Sequence, residues 1–134
     1  MAATFRVVGS ILAGIALALA LVIAVEFLSS ILHPLPPDFA GTSAEMCRHV
    51  EQYPPWVLAL VVPAWGGTTF ASTWLTRRLG NRGSGAFVGL LLLAAVVFNV
   101  AMLPYPMWFK VAILLTIPAS VFLALRAPRR EHSS

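Results

Sequence analysis

Residues 7–32 read VVGSILAGIALALALVIAVEFLSSIL, an apolar run interrupted by a single ionisable side chain, Glu26. A helix needs about 20 apolar residues to cross about 30 Å of hydrocarbon at about 1.5 Å per residue. This run meets that length. It exceeds the roughly 7–15 apolar residues of a secretory leader, and no small-residue cleavage site precedes the polar stretch after it. The reading is an uncleaved transmembrane helix.

Working outward, three more apolar runs follow, at about residues 55–75, 86–103 and 107–125. The whole chain of 134 residues is 59% hydrophobic and 10% charged, with a mean hydropathy of +0.86. A water-soluble domain carries about 25% charged residues, so lipid is the natural solvent for this composition. The expected fold class is all-α: an integral membrane, up-and-down four-helix transmembrane bundle in one domain over residues 1–134, with an outer loop at 33–54.

The basic residues set the orientation. Arg6 precedes the first run, Arg77, Arg78 and Arg82 separate the second from the third, and Arg126, Arg129 and Arg130 follow the fourth. All share one side in a four-span layout, and only Arg48 and Lys110 fall on the other. The positive-inside rule then places both termini in the cytoplasm, the membrane being a bacterial cytoplasmic (inner) membrane. The net charge of +4 reports this orientation and contact with anionic lipid, not nucleic acid, since no basic surface is interleaved with aromatics. Tyr53, Trp56, Tyr105, Trp108 and Phe109 crowd the outer boundary, where rings with one wet end favour the headgroups. The Arg77–Ser84 turn and the Pro104-Tyr105-Pro106 turn are short, which forces antiparallel neighbours.

In the outer loop, His33-Pro34-Leu35-Pro36-Pro37 is expected to be stiff and extended. Thr42-Ser43-Ala44-Glu45 fits a capping box, which predicts a short helix to about Tyr53, ended by Pro54-Pro55. His33, Asp38, Glu45, Cys47, His49 and Glu51 are metal-ligand types, but no spacing matches a recognised motif. No metal is assigned, His33, Cys47 and His49 being the nearest to a set. The lone Cys47 excludes an internal disulfide or a CxxC redox pair.

Small residues recur every fourth position at Ser10, Gly14, Ala18, at Ala112, Thr116, Ser120, Ala124, and at Gly85 and Gly89. Such stripes let helix backbones approach closely, either inside one bundle or between two copies. Pro63 followed by Trp65-Gly66-Gly67-Thr68-Thr69 weakens the second run near mid-membrane, with Pro63, Gly66, Gly67 and Thr68 the core of it. That is a candidate backbone site for a solute or ion, or else a kink with close packing.

Three polar groups lie inside apolar runs at similar depths from the outer side: Glu26, Asn99 and Lys110. Intramembrane ionisable residues are costly and mark function by default. In an up-and-down bundle the first and fourth spans are neighbours, so Glu26 and Lys110 are expected to pair, with Asn99 adding a hydrogen bond and His33 above them. The pair is either a structural ion pair or part of a small polar pocket open to the outside.

Tyr53-Pro54-Pro55-Trp56 entering the second span, and Arg78-Leu79-Gly80 before the third, resemble the DoxX-like group among the small, uncharacterised four-span bacterial inner-membrane proteins. The likeness covers spans two and three and implies the four-span layout. It brings no site residue, since the second span has no Gly-x-Glu.

No Ser-His-Asp order, carboxylate pair or phosphate-binding glycine loop is present, so the expectation is a non-enzymatic multi-pass protein without a cofactor. It would serve as an accessory or scaffold subunit packing with a membrane partner or a second copy in the bilayer. The alternative is a small oligomeric transporter or solute/ion-binding protein with a polar site near the outer face.

Overall fold

The computed structural model describes residues 2–37 and 39–126. Asp38, Arg129 and Arg130 lie outside the described residues. Five helices account for the secondary structure within them: α1 (Ala2–Leu32), α2 (Ser43–Glu51), α3 (Pro55–Leu79), α4 (Arg82–Met102) and α5 (Met107–Arg126). The chain is all-helical. Among the described helices α1, α4 and α5 are each long and apolar enough to cross a membrane. This makes it a membrane protein with transmembrane helices.

Helix α3 has the length, since 25 residues at about 1.5 Å each reach about 38 Å. Its lower hydropathy has a visible source. Thr68, Thr69, Ser72, Thr73 and Thr76 form one polar stripe, and all five are buried. The stripe faces protein, because α3 packs against α1, α4 and α5 and is the hub of the bundle.

The packing corrects the expected up-and-down order. Helix α1 touches α3 and α4, and α5 touches α3 and α4, but α1 and α5 do not pack on each other. The four long helices form a rhombus with α3 and α4 on its short diagonal. Glycine and hydroxyl side chains explain this choice. A Cβ on Gly14 would strike Thr76, one on Gly66 would lie 2.8 Å from Thr116 Cγ2, and one on Gly89 would lie 2.7 Å from Val121 Cγ1. Backbones that close need small residues on the facing side. The stripes Ser10/Gly14/Ala18 and Gly85/Gly89 are therefore spent inside the molecule.

The helix ends are capped by side chains. Asn81 Oδ1 accepts from the Ser84 amide at 2.7 Å, and Ser84 Oγ accepts from the Asn81 amide at 3.0 Å. This capping box shortens the turn expected over Arg77–Ser84 to the Gly80-Asn81 link. Two arginines donate to carbonyls near helix C-termini, where cations are favoured. Arg6 Nε reaches the Leu79 oxygen at 2.8 Å and Arg77 Nη1 the Ala124 oxygen at 3.1 Å. At the other end Gly41, at φ 84°, adopts the left-handed turn that delivers the chain to the Thr42 cap of α2. Thr42 Oγ1 accepts from the Glu45 amide at 3.2 Å, while the Glu45 carboxylate accepts from the Ala40 amide at 2.9 Å.

The apolar core lies between α3, α4 and α5 and comprises Leu58, Val61, Val100, Phe109, Ile113 and Ile117. Phe109 is fully buried and touches Trp65, Tyr105 and Trp108 with its ring. By contrast α1 buries only Ser10, Gly14, Ala18 and Ser29. Its outer surface is a ridge of exposed apolar side chains, including Leu12, Leu19, Ile23, Phe27 and Ile31.

Candidate functional site

Glu26, Ser29, Ser30 and His33 are spaced three, four and seven residues apart, which puts them on one face of α1 at its C-terminal end. This stripe looks into a chamber of about 510 Å³ walled by α1, α3 and α4 and roofed by α2. From α4, Asn99 enters about one turn before the helix ends at Met102. Trp65 comes from α3, Tyr105 from the α4–α5 turn, and Tyr53 from the end of α2. A second space of about 150 Å³ lies deeper and shares Val22, Glu26, Trp65 and Asn99 with the first. Thr68 and Thr69 line its floor. Glu26, Trp65 and Asn99 thus form the neck between an upper and a lower compartment.

The polar groups at the neck lack partners from the chain. Asn99 Oδ1 is buried and accepts no hydrogen bond. Glu26 is exposed and lines both compartments, and among the described residues no lysine or arginine lines either. The expected Glu26–Lys110 pair is not made. Lys110 sits on α5, which does not pack on α1, and it lines neither space. The pairing assumed adjacent first and last spans, and the α3–α4 diagonal separates them.

The roof is held by side chains, since α2 approaches no long helix closely. His33 Nε2 lies 2.9 Å from the His49 carbonyl oxygen, so Nε2 carries the proton and donates. The two imidazoles stack with centroids 4.2 Å apart, and Tyr53 packs on both. Burial, then the charge of His33, pushes the His49 pKa down. Burial, then the charge of Glu26, pushes the Tyr53 phenol up. The Tyr105 phenol is raised further, first by burial and then by Tyr53 and Glu26. Both phenols therefore sense the Glu26 carboxylate and stay protonated in its presence.

The stacked rings of His33 and His49 do not converge on a common point with Cys47, whose thiol is free and half-buried. Among the described residues no three metal-ligating side chains gather.

The segment around Pro63 is an unbroken part of α3, which corrects the candidate backbone site there. Gly66 is packed against Thr116 and Ser120, and Gly67 faces open space. Thr68 Oγ1 donates to the Ala64 carbonyl at 2.8 Å and Thr69 Oγ1 to the Trp65 carbonyl at 2.9 Å. The backbone is closed, and of Pro63, Gly66, Gly67 and Thr68 only Thr68 reaches a cavity. Sequence reasoning placed Tyr53 and Tyr105 at the membrane boundary, gave Trp65 and Thr69 only as part of the stretch after Pro63, and left out Ser29 and Ser30. The polar stripe of α1 carried a readable signal, polar residues at helical spacing on an otherwise apolar helix. The inward rotation of the aromatics carried none.

No protein-family model matches the chain, and no curated protein and no solved structure matches it.

Proposed function

We propose that this chain is a non-enzymatic four-span membrane protein that holds a small solute in the chamber beneath α2. The observation that carries the reading is the neck. An exposed carboxylate and a buried amide oxygen with no donor both line a space of about 510 Å³ that, among the described residues, has no lysine or arginine in its lining. Small-molecule sites typically occupy about 300–1,000 Å³ of mostly apolar wall with a few placed polar groups. An ionisable group at membrane depth is costly and is kept when it works on a ligand.

In this reading α3 is the fourth crossing, its hydroxyl stripe shielded by its neighbours. The arginine ends of the helices and both termini lie on the cytoplasmic side, and α2 roofs a chamber open to the outside. The loosely DoxX-like layout belongs to the same proposal. The test is the stability of the detergent-solubilised protein across pH and a panel of small solutes. A solute-binding chamber shows solute-dependent stabilisation that is lost in Glu26→Gln. A panel without effect on wild type, and identical pH profiles for wild type and Glu26→Gln, reject it.

One observation favours a second reading, an accessory or scaffold subunit packed against a larger membrane partner. The exposed apolar ridge of α1 runs its full length and buries little against its own chain. Native mass spectrometry of gently solubilised material separates the two. A larger hetero-complex supports the subunit, and a monomer or self-assembly supports the chamber.

A further inference from the structure

We infer that the chamber is selective for a protonated amine carrying an apolar body. This rests on the solute-binding reading above and deepens it by naming the chemical class.

Four features choose the class. First, among the described residues the only formal charge in the lining is the Glu26 carboxylate, the flanking histidines aside, so the complementary ligand is a cation and an anion is repelled. Second, Asn99 Oδ1 is an acceptor without a donor. A ligand that satisfies it must bring N–H or O–H, which a quaternary ammonium lacks. One N–H-bearing ammonium meets both demands, its charge set against Glu26 and a proton donated to Asn99 Oδ1.

Third, the walls are aromatic. Trp65 and Tyr105 are both fixed by the buried Phe109, with centroids 6.0 Å and 4.7 Å from its ring. Tyr53, packed on the same core, is fixed by His33 and His49, at 4.4 Å and 5.4 Å. The carboxylate therefore shares its chamber with three braced aromatic rings. Rings attract a cation through their π faces, more strongly when water is excluded, and they bury the apolar body of the same ligand. Fourth, a bare metal ion fits poorly. Calcium takes about 6–8 oxygen ligands and magnesium a tight octahedron, whereas this chamber offers one carboxylate within a large apolar space.

The test uses four probes with the purified protein in detergent, measured by calorimetry and thermal shift at pH 7.5. Cyclohexylmethylamine, cyclohexylmethanol and cyclohexanecarboxylate share one body with three heads, and sodium chloride supplies a cation without a body. The amine is expected to bind at least about tenfold more tightly than the alcohol or the acid, as one lost charge-assisted contact implies. Glu26→Gln and Asn99→Leu are expected to weaken it by at least about tenfold, on the same reasoning. Lys110→Ala, outside the chamber, leaves it unchanged. Glu26→Asp, which keeps the charge, retains binding and serves if Glu26→Gln fails to fold. Amine uptake that persists equally in Glu26→Gln is partition into the micelle and overturns the inference. Equal binding of the alcohol, or stabilisation by sodium without the amine, overturns the amine class and leaves a solute chamber standing. No response to any probe, together with an unaltered pH profile in Glu26→Gln, removes both.

Discussion

Asn99 shows at the level of one side chain how stability and function separate. Its Oδ1 is buried and unpartnered, and an unsatisfied buried acceptor costs about 1–3 kcal/mol. Asn99→Leu, close in volume and apolar, is expected to raise the stability of the ligand-free protein by about 1 kcal/mol. The same change removes the amide from the neck. Thermal unfolding in detergent measures the first effect and amine binding the second. A destabilised Asn99→Leu would mean that the oxygen is satisfied in the protein as it folds. The charged residues make a companion prediction. Because α1 and α5 do not pack, Glu26→Gln and Lys110→Ala should be additive in stability within about 0.5 kcal/mol in a double-mutant cycle. A coupling well above that would restore the ion pair. The depth of Glu26 and Asn99 could be read from the sequence, because depth is a count along a helix at fixed rise. Their companion could not, because Lys110 has the same depth on a helix that turns out to lie at the far corner.

Among the elements, α3 and α2 carry opposite lessons. Pro63 and two glycines suggested a weak point in α3, yet the helix is continuous. Neighbouring glycines there give a signed test of this. A Cβ on Gly66 would lie 2.8 Å from Thr116 Cγ2 and 3.2 Å from Ser120 Oγ, whereas one on Gly67 meets nothing within 4 Å. Gly66→Ala is expected to destabilise by about 1–3 kcal/mol through overpacking. Gly67→Ala is expected to stabilise by up to about 1 kcal/mol through helix propensity. Two losses of equal size would point to a functional unwound segment.

Helix α2 was legible at its start because the Thr42 and Glu45 capping pattern is local chemistry. Its role as a roof was not, because that depends on His33 meeting His49 across the chamber. This contact makes α2 sensitive to pH. The His49 pKa in the docked state lies below the ordinary value of 6.5, so docking disfavours the proton. The contribution is complete above pH 6.5, falls as pH drops below that value, and levels off beneath the docked pKa. Glu26 of α1, which shares the chamber, and His33 and Tyr53, which touch the ring, are the titratable groups around it. Hydrogen exchange of α2 amides, corrected for intrinsic rates, should show protection at pH 7.5 that is reduced at pH 5.5. His49→Phe should flatten the difference. An unchanged difference in that variant would assign the pH effect elsewhere.

For the whole molecule the question is how a helix as polar as α3 comes to pack at the centre of three helices apolar enough to cross a membrane. Taken alone it carries buried hydroxyls on five positions and two arginines at its end. Inserted alone, those groups would face lipid. Surrounded by α1, α4 and α5, the five hydroxyl residues are buried, with Thr68 and Thr69 at the cavity floor. Thr76 Oγ1 donates to the Ser72 carbonyl at 2.7 Å, and Ser10 Oγ approaches Ser84 Oγ at 3.4 Å. Both arginine contacts to carbonyls gather at the same end, next to the cation–π pairs Arg78–Trp74 and Arg126–Phe122. That end is suited to headgroups, and the aromatic α2 end to the opposite interface. The hub position of α3 was hidden in the sequence because hydropathy scores each helix in lipid, whereas α3 is solvated by its three neighbours. The four-crossing topology proposed above therefore makes a prediction that three crossings do not. Cysteine labelling in intact vesicles, with Cys47 replaced by serine, should modify a probe at residue 40 from one side only. Probes at residue 82 and at the C-terminus should both react from the other. Three crossings, by α1, α4 and α5, would put residue 40, residue 82 and the C-terminus all on the same side. In that case the hydroxyl stripe of α3 would lie outside the hydrocarbon, and Glu26 and Asn99 would no longer share a depth.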